Sequence, residues 1–227
     1  MAKGFVCIAG VNLNTMEHIR PVLQSSRLSS AVLARNGGPF DIAEMVDIGS
    51  AVAAGSNPEA EDYHFNLNAA RKIRKMQDDK FWDLLSRLAK SCLSEIFGDD
   101  LKEIGNWSCG VARGKGSASL GCLSIDSPPE LYVRPRMGKP SQIRMKLCDD
   151  RFDLDLSVTD IRLYGDDHVT PDTNKVNRVA SRLEKQVPTI LSVGLTRAVS
   201  NSPDLPAVHW LQVNNVHLKD DPTWQLG

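Results

Sequence analysis

The feature that most constrains this chain is the shortness of its apolar runs. The longest, such as residues 187–193, fall far short of the ~20 residues a membrane helix needs, and clusters of Gly, Pro, Asn or Asp separate one run from the next. Such a pattern predicts many short strands joined by turns. Near the N-terminus, residues 5–9 and 19–23 read as strands around a polar turn at Asn12-Leu13-Asn14. Asn36-Gly37-Gly38-Pro39 then marks a strong turn before a partly alternating run at 40–48, and Gly55-Ser56-Asn57-Pro58 breaks the chain again. Further strands are expected at 131–133, 143–147, 154–163, 189–195 and 209–218. In the third of these, Leu154, Leu156 and Val158 alternate with Asp155 and Ser157, as a half-buried strand requires.

Two segments carry a helical period instead. Residues 66–76 open a helical region rich in Arg and Lys, and Asp78 or Asp79 is placed to cap a new helix. Beyond it Trp82, Leu85, Leu88, Ala89, Cys92, Leu93 and Ile96 recur at three- and four-residue intervals, which predicts one amphipathic helix ending at Gly98-Asp99-Asp100. A second helix is expected over 172–186, with Val176, Val179, Ala180 and Leu183 on one face. Strands, helix, strands, helix, strands describe a β-rich α+β protein, and inserted helices among short strands suit small β-barrels better than a doubly wound parallel sheet.

At 227 residues the chain holds one large domain or two small ones. The Gly/Ser-rich stretch 114–121 suggests a division into residues 1–105 with the helical insert and residues 106–227. The five cysteines (Cys7, Cys92, Cys109, Cys122 and Cys148) are odd in number, scattered and never in a C-x-x-C pair. That argues against disulfides and zinc and predicts a cytoplasmic protein with no membrane association.

Reaction-bearing motifs fail one by one. Gly110 precedes Gly114-Lys115-Gly116 with the wrong spacing for a phosphate loop, and Ser119 stands where a dinucleotide fingerprint needs its third glycine. Asp149, Asp150, Asp153 and Asp155 lack the glycine and distal glutamate of a calcium loop. His209 and His217 would share a strand face about 25 Å apart, too far to chelate together. There is no nucleophile elbow and no zinc-protease helix. The expectation is a non-enzymatic protein without cofactor or metal.

Charge supplies the positive signal. Net charge is −1, so no global field attracts nucleic acid. Yet between Arg113 and Lys146 seven basic residues (Arg113, Lys115, Arg134, Arg136, Lys139, Arg144, Lys146) face two acidic ones, and eight aspartates follow in 147–172. This segregation fits either a phosphate-binding stretch or a surface whose charges pair in space. Trp107, Tyr132 and Trp210 are candidate stacking surfaces for bases.

Several segments carry a family resemblance. Glu17-His18-Ile19-Arg20-Pro21-Val22 resembles the "W-I/L-R-P-V" strand of the dual OB-domain family. Leu156-Ser157-Val158-Thr159-Asp160 resembles its "L-x-V-T-D" strand, and Leu191–Leu195 and His209-Trp210-Leu211-Gln212-Val213 resemble its two closing strands. The family's "G-R-C-V-A-G" opening and strand tryptophan are absent here, with Ile19 in the aromatic position. The resemblance implies two OB-like barrels in a prokaryotic protein, in a family often proposed near defence or mobile-element systems. It also implies single-stranded nucleic-acid binding on strands 2 and 3. The residues expected to bind are Arg20, Arg113, Lys115, Arg134, Arg136 and Arg144 for phosphates, with Trp107 and Trp210 for bases. A protein-interaction adaptor and a nucleotide sensor or enzyme are the alternatives.

Overall fold

A computed structural model describes residues 4–149, 151–200 and 206–224. Residues 5–9 do not form the expected strand. Val6 donates to Leu28 O, Phe5 makes one isolated bridge to Ser29, and Val6 and Ile8 pack on a small core of Leu28, Val32, Phe40 and Phe65. The first ladder begins at β1 (Gly10–Asn12) and turns through 13–16 into β2 (Glu17–Val22). After β3 (Glu44–Asp47) and β4 (Ala51–Ala53), β5 (Asp62–Phe65) inserts between β2 and β4, parallel to β2, to give the order β1-β2-β5-β4. Residues 66–76, expected as helix, are instead a short 3-10 turn and the strand β6 (Arg71–Lys75). Antiparallel pairing with β3 overrides their helical composition, setting Lys75 opposite Glu44 and Arg71 opposite Asp47.

The long amphipathic helix is two helices. α1 (Asp78–Leu88) has Gln77 at its N-cap position with no side-chain cap, while Asp78 and Asp79 occupy its first turn, where the helix dipole favours carboxylates. The chain then straightens into β7 (Ala89–Lys90), which adds a parallel strand beside Cys122 and Leu123, before α2 (Leu93–Phe97). The three-four spacing survives the break but serves two cores. Leu85 packs on Cys122 and Ile190, whereas Leu93 and Phe97 enter the main core. α2 lies so close to the sheet that a Cβ on Gly121 would sit 2.3 Å from the Ile96 side chain. The helical segment therefore packs on the second sheet, and its apolar residues are in that sheet's cores.

That sheet comprises β8 (Lys102–Glu103), β9 (Cys109–Ala112), β10 (Leu120–Ile125), β11 (Glu130–Arg136), β12 (Lys139–Asp149) and β13 (Phe152–Val158). After α3 (Thr173–Glu184) it is completed by β14 (Thr189–Leu195) and β15 (Val208–Leu218), with β7 at one edge. Its central order is β11-β12-β13-β15-β14-β10. A meander, a helix after its third strand, and parallel pairing of β13 with β15 are the topology expected of an OB unit. The expected OB-like barrels are not closed. No ladder joins β10 to β11; they stand at opposite ends of the order, joined only by residues 126–129 with Pro128 and Pro129. The first half of the chain is likewise divided between four-stranded and two-stranded sheets. The chain is β-rich α+β, and among the described residues no helix is long and apolar enough to cross a membrane.

His209 and His217 do not share a face. Ser192 pairs with Asn215 and Val193 with Val213, so Asn214 is an extra residue that reverses the alternation of β15. Gly194 makes room for it, since a Cβ there would lie 2.4 Å from Asn214 Nδ2. His217 consequently points away from the main core and under α1, edge-on to Phe81 and 2.9 Å from Ser192 Oγ. Burial first, then the charge of Arg162, bring its imidazole down to about 4. The unfolded chain, at ~6.5, holds the proton more tightly. Stability is therefore full above ~6.5 and falls as pH drops toward 4, by about 3 kcal/mol over that window. Urea unfolding at pH 7 and 4.5 should show this loss in the wild type and a smaller one in His217→Gln; equal losses would refute the assignment.

Candidate nucleic-acid interface

The polar half of the alternation in β11, β12 and β13 forms one outer surface. Ile143, Met145 and Leu147 fill the core, so Gln142, Arg144 and Lys146 face outward. Register sets Tyr132 opposite Arg144 and Arg134 opposite Gln142 on one side, and Ser157 opposite Arg144 and Asp155 opposite Lys146 on the other. Asp155 is the hub. It accepts from Tyr132 Oη at 3.0 Å, Arg134 Nη1 at 3.2 Å and Arg144 Nε at 3.0 Å. Arg144 also donates to Ser157 Oγ at 2.7 Å and to the Asp155 carbonyl. Lys146 pairs with Glu130 at 2.8 Å and lies over the Tyr132 ring. Desolvation, then the Asp155 carboxylate, raise the Tyr132 hydroxyl above its ordinary value, so it stays a donor.

The basic stretch is thus divided. Arg134, Arg144 and Lys146 pair with carboxylates, partly from the acidic segment that follows them in the chain. Arg136 and Lys139, exposed where β11 turns into β12, have no carboxylate partner among the described residues. Beside them a cleft of about 340 Å³ runs over β12, β13 and β15, lined by Arg136, Gln142, Ser157, Thr159, His168 and Gln212. Burial, then the nearby Arg35 charge, hold the His168 imidazole below its ordinary value.

The aromatic residues are distributed unevenly. The Trp107 carbonyl accepts from Asp155 N at 2.9 Å, which ties this tryptophan to the edge of the surface with 58% of its area exposed. Trp210 precedes Gln212 on β15 by two residues and is partly buried, with its Nε1 enclosed and without a partner among the described residues.

The remaining expected residues lie elsewhere. Arg113 and Lys115 flank a turn beyond β9 that packs on Asp100 and Pro58, and Arg113 is three residues, roughly 10 Å, past the Gly110–Trp210 pair. Arg20 is 4% exposed. Its Nε donates to Asp62 at 2.5 Å, Arg197 reaches the other Asp62 oxygen at 2.6 Å, and Arg197 also pairs with Glu59 at 3.0 Å. Glu61 accepts from Ser119 N and Oγ, both at 2.8 Å, and from Leu120 N at 3.2 Å. These bonds clamp the β2–β5 sheet to the larger sheet, so Arg20 is a fold residue and does not reach a surface ligand. Arg144, 8% exposed, is likewise held inside the surface network.

Sequence reading missed the cleft residues Gln142, Ser157, Gln212 and His168. For the first three a signal existed: each is a polar member of a strand whose neighbours are core residues. Which strands stand side by side was the missing information. Among the described residues no cluster suited to a metal ion occurs.

Comparison with known proteins agrees with this architecture. No curated protein and no solved structure matches the chain. A family model described as the dual OB-containing domain matches residues 1–224. With that match spanning all three sheets, and with OB strand order in the largest, the chain belongs to the dual OB-containing domain family.

Proposed function

We propose that this OB-fold binding module binds single-stranded nucleic acid on the outer face of β11, β12 and β13. The observation that carries this reading is the polar cleft over β12, β13 and β15, flanked by Arg136 and Lys139, which have no carboxylate partner among the described residues, with exposed Trp107 held by its backbone beside Asp155. Small OB units use their strand 2–3 face and adjoining loops for oligonucleotides. Here β12 and β13 hold those positions, and the β11–β12 turn holds the first binding loop. Arg136 and Lys139 contact phosphates, Trp107 stacks a base, and Gln142, Ser157 and Gln212 offer hydrogen bonds to base edges. The acidic hub at Asp155 holds Arg134 and Arg144 in place and is not itself a phosphate contact.

Fluorescence anisotropy with labelled single strands and duplexes across a salt series tests this. Single strands should bind more tightly, with a log–log salt slope that becomes shallower by about 0.7 for each phosphate contact removed in Arg136→Glu and Lys139→Glu. Trp107→Ala should cost about 1–3 kcal/mol of affinity without changing that slope. No binding at low salt, or binding indifferent to all three changes, would remove nucleic acid from this surface.

A further inference from the structure

We infer that the free edge of β6 is a docking site for an acidic extended segment of a partner protein, which adds to the β3–β6 ribbon as a third strand. This goes beyond the oligonucleotide surface and uses a different part of the molecule.

β6 reads Arg71-Lys72-Ile73-Arg74-Lys75, and all five residues are exposed. It pairs with β3 on one side; among the described residues nothing pairs with the other. Its outward N–H and C=O groups are thus a row of unused strand partners, the usual template for β-augmentation. At the centre of the strand, Ile73 is the extra residue of a bulge, unpaired with β3 and 61% exposed. An apolar side chain held out in water between four cations is a natural anchor for one apolar residue of an incoming strand.

Charge selects the partner. Lys72 is neutralised by Glu44 at 2.7 Å, but Arg71, Arg74 and Lys75 carry no ion pair among the described residues. A second copy of β6 would bring like charges face to face, so the strand repels its own kind, the ordinary protective use of a basic edge. The same charges attract a strand bearing carboxylates on alternate residues, since opposite charges across a strand pair are stabilising. Main-chain groups and an apolar anchor favour a peptide over a phosphate backbone. β6 itself holds no aromatic ring on which a base would stack.

The test uses the full chain and a fluorescent seven-residue peptide of alternating Glu and Val. It should bind with an affinity that weakens with salt, at least tenfold better than a Lys–Val counterpart. Arg71→Gln combined with Arg74→Gln should weaken it at least tenfold while leaving oligonucleotide affinity and the unfolding midpoint unchanged. On the unaltered protein, methylating the backbone nitrogens of alternate residues along one peptide edge should abolish binding, because a docked strand needs those donors. Unimpaired binding of both methylated registers would overturn strand addition. Loss of oligonucleotide affinity in the double variant, with no peptide binding, would overturn it in favour of a phosphate role for β6.

Discussion

Replacing Asp160 with alanine is expected to destabilise the protein by about 3–5 kcal/mol, a large part of the ~5–15 kcal/mol available to an ordinary domain. Asp160 is fully buried just after β13. It accepts from Arg162 N at 3.1 Å, Nε at 2.9 Å and Nη2 at 2.7 Å, and from Val216 N at 3.0 Å. Arg162 in turn donates to the carbonyls of Val216 and Trp224 and stacks 3.8 Å over the Trp224 ring. Without the carboxylate, the Arg162 cation stays buried and uncompensated, and the end of the described chain loses its anchor. Burial alone would raise the Asp160 carboxyl, but Arg162 and the backbone donors outweigh it and hold it below its ordinary value. Its contribution is therefore present above ~4, the unfolded value, and is lost as pH falls through the lower folded value. Urea unfolding at pH 7 should show a large drop in midpoint with an unchanged slope; a drop worth less than about 1 kcal/mol would contradict the network.

A comparable loss, about 3–5 kcal/mol, is expected for Asp62→Ala. This carboxylate is the shared partner of Arg20 and Arg197, and Arg20 Nη2 is buried without an acceptor among the described residues even with Asp62 present. Removing Asp62 leaves the Arg20 guanidinium inside the protein with no counter-charge. The penalty comes from the orphaned cation, so it should shrink when that cation is removed as well. Arg20→Met combined with Asp62→Leu should recover most of the stability lost in Asp62→Ala. If the double variant is as unstable as the single one, the cost lies in packing between the two sheets and not in charge.

Two residues of these networks, Arg20 and Asp160, also show what was legible in the sequence. Arg20 and Asp160 stand in the segments that resemble the family, and both are buried in ion pairs that hold the fold. At these two positions the resemblance marks architecture. Elements with strong local signals were placed well. β14 has the expected bounds, and α3 begins where Asp172 caps Asn174 and Lys175. β6 was misread because its composition suits a helix and only pairing with β3 makes it a strand. The break at Ala89–Lys90 was hidden because the apolar period continues through it. At the surface, the basic residues were legible but their state was not. Arg144 meets Asp155 eleven residues away only because of the β12–β13 register, while Arg136 and Lys139 escape pairing at the turn.

Asn214 makes β15 one residue longer than its pattern of faces needs. Val213 and Val216 both face the core because a surplus residue stands between them. Deleting Asn214 would therefore close the bulge and restore strict alternation, with Val216 and Leu218 still inward and His217 still beside Phe81. A family member shorter by that one residue would keep the same core, so length at this point is a tolerance of the strand and not a requirement of the fold.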